Sequence, residues 1–252
     1  PGVTTPATPG ALDLERFTLY SGIIDIKSDL WRLVGEIQGG WGDIENDATN
    51  NTFATIDSSN ILFAIRAEVY PGWPFKIVAA EFGWAGGDDT STARELEGNV
   101  IVFSPAYNLD NLLFKHMIPN IYRIEGSVIN SYYARAWGTF KLLDPLSYTH
   151  QVVVAWAQET NSPLFPGQNI SSYLGTEIEG TLTWQLWPGV NLDFIGSLVI
   201  AGSGLEDLLE QQAAGTLNQV VGGDFVADDF DAQSYPWALQ ARLLVYIDQF
   251  FK

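Results

Sequence analysis

The sequence predicts an all-β chain, an antiparallel up-and-down transmembrane β-barrel folded as a single domain over residues 1–252. Three observations predict it. Apolar and polar residues alternate with a period of two in segment after segment, which puts successive side chains on opposite faces of a strand. The connections between these segments alternate between short and long. Aromatic residues gather at both segment ends, while charged residues keep to one face.

The alternation locates the strands. The segment near 16–27 is less regular than those that follow it directly. Trp31, Leu33, Ile37 and Trp41 then alternate with Arg32, Val34, Glu36 and Gln38. Ile61, Phe63, Ile65, Ala67 and Val69 alternate with Leu62, Ala64, Arg66 and Glu68. Less regular segments follow near 74–85 and 128–142. Leu146, Tyr148, Val152, Val154 and Trp156 oppose Ser147, Thr149 and Gln151. In "GTEIEGTLTWQLWPGVNLDFIGSLVIAG", Ile178, Leu182, Trp184 and Leu186 oppose Glu177, Glu179, Thr181, Thr183 and Gln185. After the turn, Leu192, Phe194, Leu198 and Ile200 oppose Asn191, Asp193 and Ser197. Tyr235, Trp237, Leu239, Ala241, Leu243, Val245 and Ile247 close the series, against Gln240, Arg242, Tyr246 and Asp248. Parity slips at Ile23-Ile24 and Ala79-Ala80 are expected bulges. The nine strands run to roughly 10–15 residues, against about 5–6 in ordinary sheets. Helical spacing occurs only at 108–117 and 204–217, both inside long connections.

The tight connections are "KSD", "YPGWP", "LDPLS" and "WPGV", rich in the Pro, Gly and Asp that turns favour. Between them fall long segments at 43–59, 86–125, 158–173 and 203–233. Strict alternation places all tight turns at one end of the sheet and all long loops at the other. Outer-membrane barrels share this asymmetry, with short periplasmic turns and long external loops.

The same alternation fits a soluble β-sandwich, whose apolar face would lie on a second sheet. Three features favour lipid. Trp31 and Trp41, on one face, are separated by roughly 33 Å of strand, which a tilt of about 40° projects to about 25 Å, the height of a lipid-facing band. Trp31, Tyr70, Trp73, Tyr148, Trp184 and Trp187 near the turns, with Trp41, Trp84, Trp156 and Trp237 near the loops, read as membrane-interface rings. The opposite face carries Arg32, Glu36, Arg66, Glu68, Arg135, Lys141, Glu177, Glu179, Asp193 and Arg242, expected to line a pore. Charge on the lipid face would cost about 2–4 kcal/mol for each Arg or Lys at the midplane.

Composition narrows the function. With 12 basic and 30 acidic residues the net charge is −18, which argues against nucleic-acid partners. Without cysteine there are no disulfides and no thiolate metal sites. No apolar run is long enough for a transmembrane helix. The opening "PGVTTPATPG" lacks the basic and apolar regions of a signal peptide, as expected of a mature chain or a fragment.

The hairpins "IRAEVYPGWPFKIVAAEFGWAGGDD" and "GTLTWQLWPGVNLDFIGSLVIAG", with the closing "WALQARLLVYIDQFF", resemble Gram-negative outer-membrane porin-like barrels. They are similar in particular to the alginate-export-like group, in which a strand entering an acidic "GDD" loop and an "NLDNLLF"-like loop segment recur. The resemblance covers Glu15–Lys252 in architecture. It implies a location in the outer membrane, contact with the bilayer and lipopolysaccharide, and passive passage of small solutes or ions. A last strand ending in the periplasm makes residues 1–14 an external loop by counting back. Nine strands are odd where single-chain barrels are even, so at least one further N-terminal strand is expected, or one missed within 98–127, at "GNVIVFSP" or "NIYRIEGS".

Enzymatic signals are sparse. His116 and His150 stand alone, and His150 reads as an interfacial residue. No serine has the histidine and acid of a hydrolase triad in a suggestive spacing. Glu177 and Glu179, about 7 Å apart on one strand face, have the residue types of a glycosidase dyad but fit a pore lining with no added assumption. "AGGDD" and "VVGGD" lack the lysine of a phosphate loop. No cofactor is expected. Asp88-Asp89 and Asp228-Asp229-Asp231 offer hard oxygen ligands for Ca²⁺, but without the spacing of a calcium loop they read as a solvated acidic face. That acid would draw cations to the external mouth. Segments 108–117 and 204–217, within loops 86–125 and 203–233, either fold into the lumen as a constriction or contact a partner protein. The competing functions are therefore a non-conducting scaffold barrel and a soluble sandwich or lipocalin-like binder.

Overall fold

A computed structural model describes residues 12–46, 54–87, 95–97, 109–118, 128, 130–161, 169–211 and 235–246. The chain is all-β. Its strands are β1 (Leu12–Lys27), β2 (Trp31–Asn46), β3 (Ala54–Val69), β4 (Phe75–Ala85), β5 (Glu95–Glu97), β6 (Ser131–Leu143), β7 (Leu146–Ala157), β8 (Tyr173–Trp187), β9 (Val190–Ala201) and β10 (Trp237–Val245). Nine of them form one antiparallel up-and-down sheet in the order β1-β2-β3-β4-β6-β7-β8-β9-β10, and β5 adds three residues parallel to β3. The four tight connections all lie at one end, as the alternation of turn lengths predicts. Gly72 (φ 86°) and Gly189 (φ 81°) take the left-handed conformation that a side chain resists, one in each of two such turns.

Register assigns the faces, because residues directly opposite in an antiparallel pair point the same way. One row runs Ile26–Leu33–Ala67–Ala80–Ala136–Val152–Ile178–Leu198–Trp237 through all nine strands. The adjacent row, on the other face, runs Lys27–Arg32–Glu68–Ala79–Trp137–Gln151–Glu179–Ser197–Ala238. In these two rows an apolar face and a charged face are thereby separated through all nine strands.

Several expectations need correction. Ile23-Ile24 and Ala79-Ala80 sit in unbroken register, and the irregularities fall instead at Leu14/Arg16, Phe75/Ile77, Lys141/Leu143, Ala155/Trp156 and Gln185/Trp187. All five lie near strand ends. The expected long loop 43–59 is largely strand, since β2 runs to Asn46 and β3 starts at Ala54. Of the expected loop 1–14, residues 12–14 open β1 and the rest lies outside the described residues. The two candidate extra strands within 98–127 also lie outside them, and β5 just before that window went unforeseen. Nor is the sheet closed as a barrel: β1 and β10 each pair with one neighbour.

The core sits on the charged face, toward the loop end. Leu62, Tyr133, Val153, Ala155 and Val199 of the sheet meet Leu109, Leu113, Phe114 and Ile118 from the long β4–β6 connection. Leu205 and Leu208 of a helix over 203–211 (α1) complete the cluster. The described parts of both apolar loop segments noted in the sequence thus fold back over this face. The apolar face stays bare, with Ile24 64%, Ile65 48% and Leu239 78% exposed. Among the described residues no second sheet covers it.

Candidate functional site

All ten charged residues expected to line a pore project from one face. Arg32, Glu68 and Glu179 share a register row; Arg66, Arg135 and Glu177 share the next; Glu36 follows toward the loops; Lys141, Asp193 and Arg242 share a row nearer the turns. Period-two patterning alone assigns this, because a one-residue slip would send every charge to the other side.

On the β1–β6 half the charges form a continuous chain. Arg32 grips Asp25 with two hydrogen bonds, Nε to Oδ1 at 2.9 Å and Nη2 to Oδ2 at 2.7 Å. Its Nη1 lies 3.9 Å from Glu68 Oε2, and Arg66 Nε lies 3.0 Å from Glu68 Oε1. Arg66 Nη1 reaches Glu81 Oε2 at 4.0 Å, and Tyr133 Oη donates to Glu81 Oε1 at 2.9 Å. The carboxylates of Glu68 and Glu81 are buried while the guanidinium groups remain partly exposed. A buried carboxylate without such partners would be costly, and here the arginines and Tyr133 supply them.

On the β6–β10 half, Arg135 donates Nε and Nη2 to Gln151 Oε1 at 2.9 and 2.6 Å and lies 4.5 Å above the Trp137 ring. Arg242 Nη2 meets Asp193 Oδ2 at 3.0 Å. Lys141 turns away from the sheet centre to Asp144 in the β6–β7 turn. Toward the turns, Thr139 and Thr149 share a hydrogen bond of 2.9 Å.

Glu177 departs from the expected lining role. Only 1% of its surface is exposed, because residues 109–118 lie over it. Its carboxylate accepts the backbone N–H groups of Asn111 (3.1 Å), Leu112 (3.1 Å) and Leu113 (2.7 Å). Asn111 Nδ2 donates to Ser197 Oγ at 3.2 Å, and Gln151 Nε2 donates to Leu109 O at 2.7 Å. The segment contains a π-helical turn, Leu113–Met117, with Asp110 accepting the N–H groups of Phe114 and Lys115. Burial and the nearby charge of Glu177 hold the Asp110 carboxyl well above the usual carboxylate range. A Glu177/Glu179 dyad is not available as free acid and base, since Glu177 is spent on backbone donors.

The expected interface residues follow the apolar face with one exception. Phe63, Trp84, Tyr132, Trp156 and Tyr173 form a row at the loop end, Tyr132 and Trp156 stacking at 5.4 Å. Tyr20 and Trp41 pack at 5.6 Å nearby, and Trp237 opens β10 at the same end. Trp31, Tyr148, Trp184 and Trp187 mark the turn end, and Trp73 stands 82% exposed in the β3–β4 turn. Tyr70 is the exception: its hydroxyl donates to Glu68, which puts it on the charged face. It shares the parity of Glu68, a signal the sequence contained. His150, exposed on the apolar face, stacks beside Tyr148. Trp137 is the tryptophan the interface set omits, and it lies on the charged face with the parity of Arg135. The acidic clusters at 88–89 and 228–231 lie outside the described residues. No protein-family model matches the chain and no curated protein matches it, so the geometry of this sheet is what bears on its function.

Proposed function

We propose that the chain builds the wall of an outer-membrane porin-like β-barrel, its apolar face against lipid and its charged face toward a passage for small solutes or ions. One observation carries this reading. The four register rows through Val69, Ala67, Ile65 and Phe63 contain no Asp, Glu, Lys or Arg on the apolar face, yet their large side chains are exposed or only half-buried. Burying one Leu, Ile or Phe side chain is worth about 1.5–3 kcal/mol, so leaving this face in water would forgo tens of kcal/mol. Soluble monomers rarely expose contiguous apolar patches beyond a few hundred Å². Hydrocarbon removes the difficulty, and the aromatic rows at both ends suit its two interfaces.

β1 and β10 run in the same direction, so a closed and wholly antiparallel barrel needs an odd number of further strands between them. The mixed charges of the wall favour hydrated solutes without a strong sign preference, while the acid of the loops biases the external mouth toward cations. The second reading is a non-conducting outer-membrane scaffold, favoured by the cover that 109–118 and α1 place over the loop-end half of the charged face. Planar-bilayer recording decides between them: discrete conductance steps from the purified protein are expected, and their absence in a correctly inserted protein favours the scaffold.

A further inference from the structure

We propose that residues 109–118 are a removable plug, latched to the wall by the Glu177 carboxylate and seated on it in this structure. The proposal rests on the porin-like reading and adds a moving part to it. The segment is not woven into the sheet. Its described backbone–backbone hydrogen bonds, from the N–H groups of His116 and Met117 to Leu112 O, stay within it. Every described polar link to the sheet passes through a side chain: Gln151 of β7, Glu177 of β8 and Ser197 of β9. Lifting it therefore breaks no ladder bond.

Glu177 dominates these links because one carboxylate collects three consecutive N–H groups at the start of a helical turn, donors that have no partner within the turn. Charge-assisted bonds of this kind are the stronger ones. Asp110 meanwhile caps the same turn from inside, so the segment keeps its shape as a unit whether or not it touches the wall. The wall beneath mixes apolar Leu62, Val153 and Val199, whose contacts hold the segment down, with Tyr133, Gln151, Glu177 and Ser197, whose polar groups water satisfies when it lifts.

The cysteine-free chain allows a direct test. Wild type, Glu177→Ala, Glu177→Gln, and Glu177→Ala carrying Asn111→Cys and Ser197→Cys are reconstituted in planar bilayers and in vesicles. Conductance and the rate of tryptic cleavage after Lys115 are recorded for each. Glu177→Ala is expected to raise single-channel conductance several-fold and to speed Lys115 cleavage at least tenfold. Glu177→Gln, which keeps one acceptor oxygen, falls between. Oxidation of the cysteine pair should restore both wild-type values, and reduction should release them again, which also shows that the variant is folded. Unchanged conductance and unchanged cleavage in Glu177→Ala overturn the plug. If no variant conducts, the porin-like reading fails separately, and Lys115 cleavage still decides: faster cleavage reversed by oxidation supports a latched segment, and an unchanged rate refutes it.

Discussion

At the residue scale, two faces of one sheet impose opposite rules. Ile178 lies in the middle of the apolar face and Thr181, three residues on, points to the charged side. Ile178→Arg is expected to destabilise the membrane-inserted protein by about 2–4 kcal/mol, the cost of a cation in hydrocarbon. Thr181→Arg should stay within about 1 kcal/mol, both read from denaturant titrations in vesicles. A methyl group decides a second case. A Cβ at Gly83 would stand 2.4 Å from the Tyr133 ring, and that ring is held by its bond to Glu81 and by Phe114 at 5.9 Å. Gly83→Ala should therefore cost about 1–3 kcal/mol, as overpacking does, whereas Gly35→Ala, with open space at its Cβ, should be near neutral. Parity made most of these assignments legible in the sequence. Arg66 and Glu68 follow from Ile65 and Ala67 without further information. Glu177 did not, because its partners lie 64 to 66 residues away and no periodicity encodes such a contact.

At the element scale, the strands were legible and the loop segments only half so. Long strands with tight turns at one end follow from local patterning, and β6 to β9 appear where the alternation puts them. The helical spacing at 108–117 and 204–217 identified elements that bury Leu113 and Leu208, but not the surface that receives them. A choice between lumen and partner protein depends on long-range fit. The described parts of both segments pack on the charged face. The seated segment also has a pH signature. Asp110 faces Glu177 and Glu179 of β8, both of its own sign, while Phe114 and Lys115 donate N–H groups to it. Its carboxyl is raised when seated and ordinary when free, so seating takes up a proton. The stabilisation is thus complete below the ordinary carboxylate value and fades as pH rises through the raised one. Lys115 cleavage and conductance should both increase with pH across that interval, and Asp110→Asn should flatten the dependence in both measurements.

At the scale of the whole molecule, one sheet carries its core on the charged face and, among the described residues, leaves its apolar face uncovered, the reverse of a soluble sandwich. That inversion was readable from the sorting of Trp to the strand ends, while Tyr70, sharing the parity of Glu68, turns to the charged face. Closure was not readable, since pairing between β1, β10 and anything beyond them leaves no mark in strand periodicity. The account stands on what the apolar face touches. Single cysteines at Ala80 and Ala136 on that face, and at Thr149 and Thr181 on the other, can be introduced into the cysteine-free chain and challenged with a membrane-impermeant maleimide after vesicle reconstitution. Lipid contact predicts that A80C and A136C stay unlabelled until the membrane is dissolved, while T149C and T181C react in intact, permeable vesicles. Equally fast labelling of A80C and A136C before detergent is added would contradict it.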